Sequence, residues 1–212
     1  MPDSIPFVRQ APPTEGRMER LSLPLFPLHS VLFPGGPLPL RVFETRYLDM
    51  ISECLKANTG IGICLIRTGS EVGEAAETYE VGTLSRITYW NQRPDGLLGV
   101  TVRGEQRFRI LSSEVRPNKL IVAEVELLAN EPELALPESY RPLAKLLENI
   151  VEQLGHPYVK MPKRYDEAGW VGARLTELLP FRLDQKQYLL QLDDPLLRLE
   201  RLTAILQELE IS

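Results

Sequence analysis

LPLFPLHSVLFPGGPLPLRVFETRY, residues 23–47, places five prolines ahead of its first charge at Arg41 and then turns abruptly polar. The uncharged run from Leu21 to Leu40 matches a membrane span in length. Each internal proline, however, costs a helix roughly 3 kcal/mol, so a span is excluded. A solvated linker is also excluded, because Leu, Phe and Val between the prolines pack rather than hydrate. The stretch reads as short extended pieces joined by turns inside a fold, with Pro34-Gly35-Gly36-Pro37 as the sharpest turn.

Working outward from it, the following segments read mainly as strand, with one helix inserted. LPLRVF predicts a strand, and TRYLDMISECLKA brings Tyr47, Leu48, Ile51, Cys54 and Leu55 to helical spacing before Asn58 and Gly60 end it. GIGICLIR (60–67) is a further strand, and TGSEVGEAAE (68–77) a polar, mobile loop. Strands at 79–92 and 97–104 flank the turn Arg93-Pro94-Asp95-Gly96, and strands at 106–116 and 119–128 flank Pro117-Asn118. Six or seven mostly antiparallel strands with such tight hairpins predict a closed or nearly closed barrel, since a flat sheet would leave its edges unprotected.

Composition shifts at ANEPELALPES (129–139), and the period beyond is helical. Leu143, Leu146, Leu147, Ile150, Val151 and Leu154 form one stripe ended by Gly155 and Pro157. A second helix is expected over roughly Asp166–Leu179. A third opens on a capping box of Asp184 and Gln187, and the last starts at Asp194-Pro195, with Leu196, Leu199, Leu202, Ile205, Leu206 and Leu209 as its stripe. The expected organisation is a mobile tail (1–20), a barrel domain (21–130) and a C-terminal helical bundle (131–212), an α+β architecture.

The net charge of −5 and pI near 5.3 disfavour nucleic acid. Cys54 and Cys64 have no framework spacing, the first twenty residues have no apolar core of a signal peptide, and a cytoplasmic protein is expected. No phosphate loop, dinucleotide fingerprint, nucleophile elbow or H-E-x-x-H helix is present, so neither an enzyme nor a bound cofactor or metal is expected. The two histidines, His29 and His156, read as packed or surface residues. Both cysteines read as buried small hydrophobes. Arg103, Arg107 and Arg109 form a local basic cluster, with Arg107 and Arg109 on one strand face, most simply the solvated outside of the barrel. Arg41, Glu44 and Arg46 can pair locally, and Trp90 and Trp170 are candidate interface anchors.

The opening stretch, with VGTLSRI (81–87), GEQRFRIL (104–111), LIVAEVELL (120–128), ARLTELLPF and KQYLLQLDDPLLRLERL, resembles the Lon protease N-terminal substrate-binding domain family, particularly its stand-alone members. The resemblance implies a PUA-like pseudobarrel followed by helices, without the ATPase and peptidase of the full-length protease and with no catalytic residues. It makes Phe43, Glu44, Arg46 and Tyr47 matching positions, most simply structural, with Thr45 where relatives often carry proline. The function expected is a non-catalytic module that binds unfolded or tagged polypeptide, or a protein partner. Candidate contacts are Phe43, Arg46, Tyr47, Trp90, Arg107 and Trp170, and the natural sites are a cleft between barrel and helices or an unpaired strand edge. An RNA-binding module is the alternative, by fold analogy with PUA-like domains, and a small-molecule hydrolase would need a histidine brought to a carboxylate or cysteine.

Overall fold

A computed structural model describes residues 19–210 of the chain. The expected tail therefore falls outside the described residues as far as position 18. Seven strands form one sheet: β1 (Arg20–Leu28), β2 (Pro37–Val42), β3 (Ile61–Thr68), β4 (Glu77–Thr78), β5 (Val81–Gln92), β6 (Leu98–Val115) and β7 (Ile121–Leu127). Five α-helices accompany them: α1 (Thr45–Ala57), α2 (Arg141–Gln153), α3 (Ala168–Leu178), α4 (Leu183–Gln191) and α5 (Pro195–Glu210).

The sheet runs β1-β7-β6-β5-β3 and closes on itself, because β1 pairs β7 through its first half and β3, in parallel, through Leu25–Leu28. Closure removes the edges that five strands would otherwise expose. It also explains why β1 alternates between exposed and buried at its start and is buried throughout at its end. Outside the ring, β2 adds to β6. Two of the six β2 residues, Pro37 and Pro39, have no backbone N–H, which suits an edge strand.

One expectation is corrected along β6. The segments 97–104 and 106–116 are not separate strands but a single 18-residue strand. Gly104 marks a close approach rather than a turn: its N–H donates to Gly36 O (2.9 Å), its carbonyl accepts from Gly35 N–H (2.8 Å), and a Cβ there would lie 2.3 Å from Phe33 O. The register against β5 shifts at the same point, skipping Glu105, so Gly104-Glu105 is a bulge. The 34–37 turn thereby plugs into the middle of β6, with Gly35 at φ +79°.

Three apolar cores organise the packing. Phe108, Leu25, Ala123 and Val125 fill the barrel. Tyr47, Met50 and Ile51 of α1 cover one mouth against Phe26, Val42 and Val100. The third core joins barrel residues Phe33, Leu65 and Val81 to Leu147, Val171, Leu175, Leu189 and Leu199 of the helices. The helical stripes hold in part: Leu147, Val151, Leu199 and Leu202 are buried, while Leu55, Leu146 and Leu196 face solvent. The expected Asp184/Gln187 capping box is overturned. The Gln185 side chain accepts the Arg182 N–H (3.1 Å) at the start of α4, and buried Gln187 donates instead to Val81 O of the barrel (2.9 Å). At α5 the expected cap is present, Asp194 Oδ1 accepting the Leu196 N–H at 2.8 Å.

Buried charges tie the layers together. Arg174 of α3 donates to Pro34 O (3.0 Å) and pairs with Glu177 (3.0 Å), whose carboxylate accepts the Phe33 N–H (2.7 Å). Burial pushes the Glu177 carboxyl up to about 7, against the opposing pull of Arg174, the Phe33 N–H and Lys186. A carboxyl raised above its ordinary value binds a proton in the native state that the unfolded chain has already lost. The contribution of Glu177 to stability is therefore fully present below the ordinary carboxylate range and falls as pH rises towards 7, by at most about 1.4 kcal/mol per pH unit. Denaturant unfolding of wild type and Glu177→Gln across that interval checks this: the wild-type curve should fall more steeply, and parallel curves would contradict it.

Candidate peptide-binding surface

Three of the residues singled out from sequence meet at one barrel mouth. The β2–α1 junction carries Val42-Phe43-Glu44 into the first turn of α1, which begins at Thr45, a position where proline is equally admissible. Glu44 then accepts from Arg46 Nη2, the pair standing 3.1 Å apart as the sequence suggested. Arg46 is buried, donates to Lys119 O at 2.9 Å, and holds its guanidinium 4.6 Å from the centre of the Tyr47 ring. Tyr47 in turn stacks on Phe26 with centroids 4.2 Å apart. Burial pushes the Tyr47 hydroxyl up to about 12, so it remains a neutral donor and acceptor at any physiological pH.

Phe26 and Tyr47 line a mainly apolar groove of about 350 Å³ with Leu38, Leu40, Phe43 and Val72, and Arg41, Glu44 and Glu71 add charge to its lining. Two of these residues are exposed: Phe43 is 54% and Val72 51% accessible. Arg46 is thus a support beneath the groove rather than a contact in it. Val72 belongs to the loop between β3 and β4, read from sequence as mobile. The loop is pinned at several points, Glu71 accepting the His29 N–H (2.6 Å), Glu44 accepting the Gly73 N–H (3.4 Å) and Glu74 pairing with Lys119. Val72 is its one large apolar side chain, the signal by which it could have been found.

Arg107 and Trp170 meet elsewhere, in a cleft of about 400 Å³ at the junction of barrel and helices. The expectation that Arg107 lies on a solvated outer face is corrected. It is 3% exposed, donates to Leu190 O and Leu192 O (3.0 Å each) and pairs with Asp193 (2.8 Å), while Arg109 is exposed. Phe108 faces the barrel interior, and Arg107, on the opposite strand face, is covered by the α4–α5 segment whose carbonyls and Asp193 it contacts. Beside it Glu131 bridges to Arg198 of α5, which is fully buried. Trp170 is half-buried, edge-on to Tyr165 at 5.1 Å. Trp90 is 58% exposed on β5 and lines neither cleft.

His29 Nδ1 does approach a carboxylate, Glu71, at 3.4 Å, but both side chains are about half exposed. Both cysteines are buried and their thiols are pushed up by that burial, the opposite of nucleophile activation. Among the described residues no cluster of three or more metal-ligating side chains occurs, and no helix is long and apolar enough to cross a membrane.

The closed barrel with an inserted helix and trailing helices is the architecture of Lon N-terminal domains. It superposes on the crystal structure of a Lon N-terminal domain protein from Xanthomonas campestris with a TM-score of 0.72 and 41% identity, covering 87% of this chain and 98% of that one. The N-terminal domain of a Mycobacterium avium complex Lon protease shares the fold at 17% identity and a TM-score of 0.56, over 87% of this chain and 97% of that one. The chain belongs to the substrate-binding domain family of the ATP-dependent protease La (Lon), whose family model matches residues 22–208. Among curated proteins it is 27% identical over 201 residues to the Lon protease of Dictyoglomus thermophilum, covering 89% of this chain and 25% of that protein. It is 25% identical over 198 residues to that of Vibrio parahaemolyticus, covering 87% of this chain and 24% of the relative. The chain thus spans about a quarter of the length of these relatives.

Proposed function

We propose that the protein is a non-catalytic module that binds unfolded polypeptide, and that the Phe43–Val72 groove is where it does so. The observation that carries this reading is a mainly apolar concavity with two large exposed side chains in its lining, in a chain of the Lon substrate-binding family. Exposed Phe43 and Val72 line the same groove and can both contact an apolar side chain of an extended segment. The grip comes through side chains, because the neighbouring strand β2 lacks two of its six N–H groups and is a poor template for an added strand. An RNA-binding reading, drawn by fold analogy with PUA-like domains, needs a basic face that includes Arg107, and Arg107 is already engaged by Asp193 and backbone carbonyls.

The test is fluorescence anisotropy of a labelled, carboxamidomethylated polypeptide that cannot refold, titrated at low and high salt. Saturable binding at both is expected, with Phe43→Asp weakening it roughly tenfold or more while the melting temperature stays put. Binding that Phe43→Asp leaves intact would move the site elsewhere, and binding that vanishes at high salt would contradict an apolar grip.

A further inference from the structure

A third cleft, of about 310 Å³, lies between the β5–β6 arm and the segment joining α2 to α3. Its chemistry differs from both clefts above. The cationic groups lining it are Arg103 and Lys160, with His156 beside them, and no aspartate or glutamate among the described residues lines it, although the protein carries a net charge of −5. Both cations are exposed, and neither has an ion-pair partner among the described residues. Arg103 also borders the barrel–helix cleft, but the carboxylates lining that cleft are engaged by other cations: Glu105 by Arg86 (3.0 Å), Glu131 by Arg198, and Glu133 (3.9 Å) and Glu167 (3.1 Å) by Arg164. The remaining lining is uncharged, with Pro37, Pro157, Met161 and Pro162 beside Thr88 and Thr101. One wall is Tyr89, 53% exposed and set edge-on to His156 at 6.3 Å.

We propose that this cleft is a second docking site, separate from the Phe43 groove, that takes an acidic polypeptide segment carrying a glutamate or aspartate next to a large apolar residue. The carboxylate answers the two unpaired cations, which border the same cleft. The apolar neighbour lies against Tyr89 and the prolines, surfaces that hold no charge to desolvate. The volume suits one large side chain with a carboxylate. Two fixed cations on an acidic protein are too few to hold a phosphate backbone, which favours polypeptide over nucleic acid.

The probe is the fluorescein-labelled peptide Ser-Gly-Glu-Phe-Glu-Gly-Ser, compared by anisotropy with its counterpart in which glutamine replaces both glutamates. Saturable binding of the glutamate peptide is expected, with roughly tenfold weaker binding of the glutamine peptide and a similar loss in the double variant Arg103→Gln/Lys160→Gln. Phe43→Asp should leave this binding unchanged, so failure of the groove and failure of this site are separable. Lys160→Gln alone, at an exposed side chain, keeps the test valid should the Arg103 change disturb the bulge. Absence of binding, equal binding of the two peptides, indifference to Lys160→Gln, or full displacement by an equimolar single-stranded oligonucleotide would each overturn the assignment.

Discussion

Glu131→Ala is expected to destabilise the protein by about 3–5 kcal/mol, the range for removing one partner of a buried ion pair. Glu131 holds Arg198 through Nη1 at 2.6 Å and approaches Arg107 at 3.8 Å, and both guanidiniums are at most 3% exposed. Losing it leaves two cations in the interior with one carboxylate, the exposed Asp193, still reaching Arg107 at 2.8 Å. The size of the effect comes from that uncompensated charge rather than from the worth of the pair. A double variant, Glu131→Leu with Arg198→Met, should therefore recover much of the loss, since Arg198 lies within 5.2 Å of the Phe33 ring and a thioether can fill the same space. Guanidinium unfolding of wild type and the two variants distinguishes the accounts: a double variant no better than the single would place the cost in lost packing.

Phe108→Ala should cost a comparable 3–5 kcal/mol, about the usual penalty for emptying a large aromatic site. Its ring is fully buried at the centre of the barrel. The space it fills was cleared by two glycines: a Cβ on Gly82 would sit 2.7 Å from its ring and one on Gly62 would sit 3.0 Å away. The cavity cannot be refilled simply by enlarging either, because Gly82 also faces Ile63 O at 2.6 Å and Gly62 faces Leu25 at 2.6 Å. Phe108→Ala/Gly82→Ala is thus expected to be less stable than Phe108→Ala. A rescue would show that the Ile63 backbone can yield.

Much of this architecture was legible in the chain. The helix at 45–57, the turns at 34–37, 93–96 and 117–118, and the switch from strand to helix after residue 128 followed from proline and glycine placement and from periodicity. What local pattern cannot show is which way a polar residue turns when two layers meet. Alternation along 106–110 correctly opposed Arg107 to Phe108, yet the outer face of the barrel there is covered by helices, so the exposed reading of Arg107 was inverted. Gly104 invites a turn reading for the same reason, because its cause is the distant Phe33 carbonyl. Arg174 and Arg198 hide within helical patterns as ordinary surface charges, and only their depth in the third core reveals them as ties between layers. At the groove, Phe43 and Tyr47 were visible as apolar residues near a helix start, whereas Val72 joined them only through folding of a polar loop.

On the binding reading proposed above, the prolines of β2 bear on a hazard that unfolded chains would bring. Such chains are rich in strand-forming segments, and any open ladder offers them a route to stack and, copy by copy, to carry the carrier into the aggregate. With Pro37 and Pro39 breaking the row of donors on the strand beside the groove, a captured segment has little main-chain register to lock into. On that reading the segment would be held by side-chain contacts rather than by a main-chain ladder that further copies could extend.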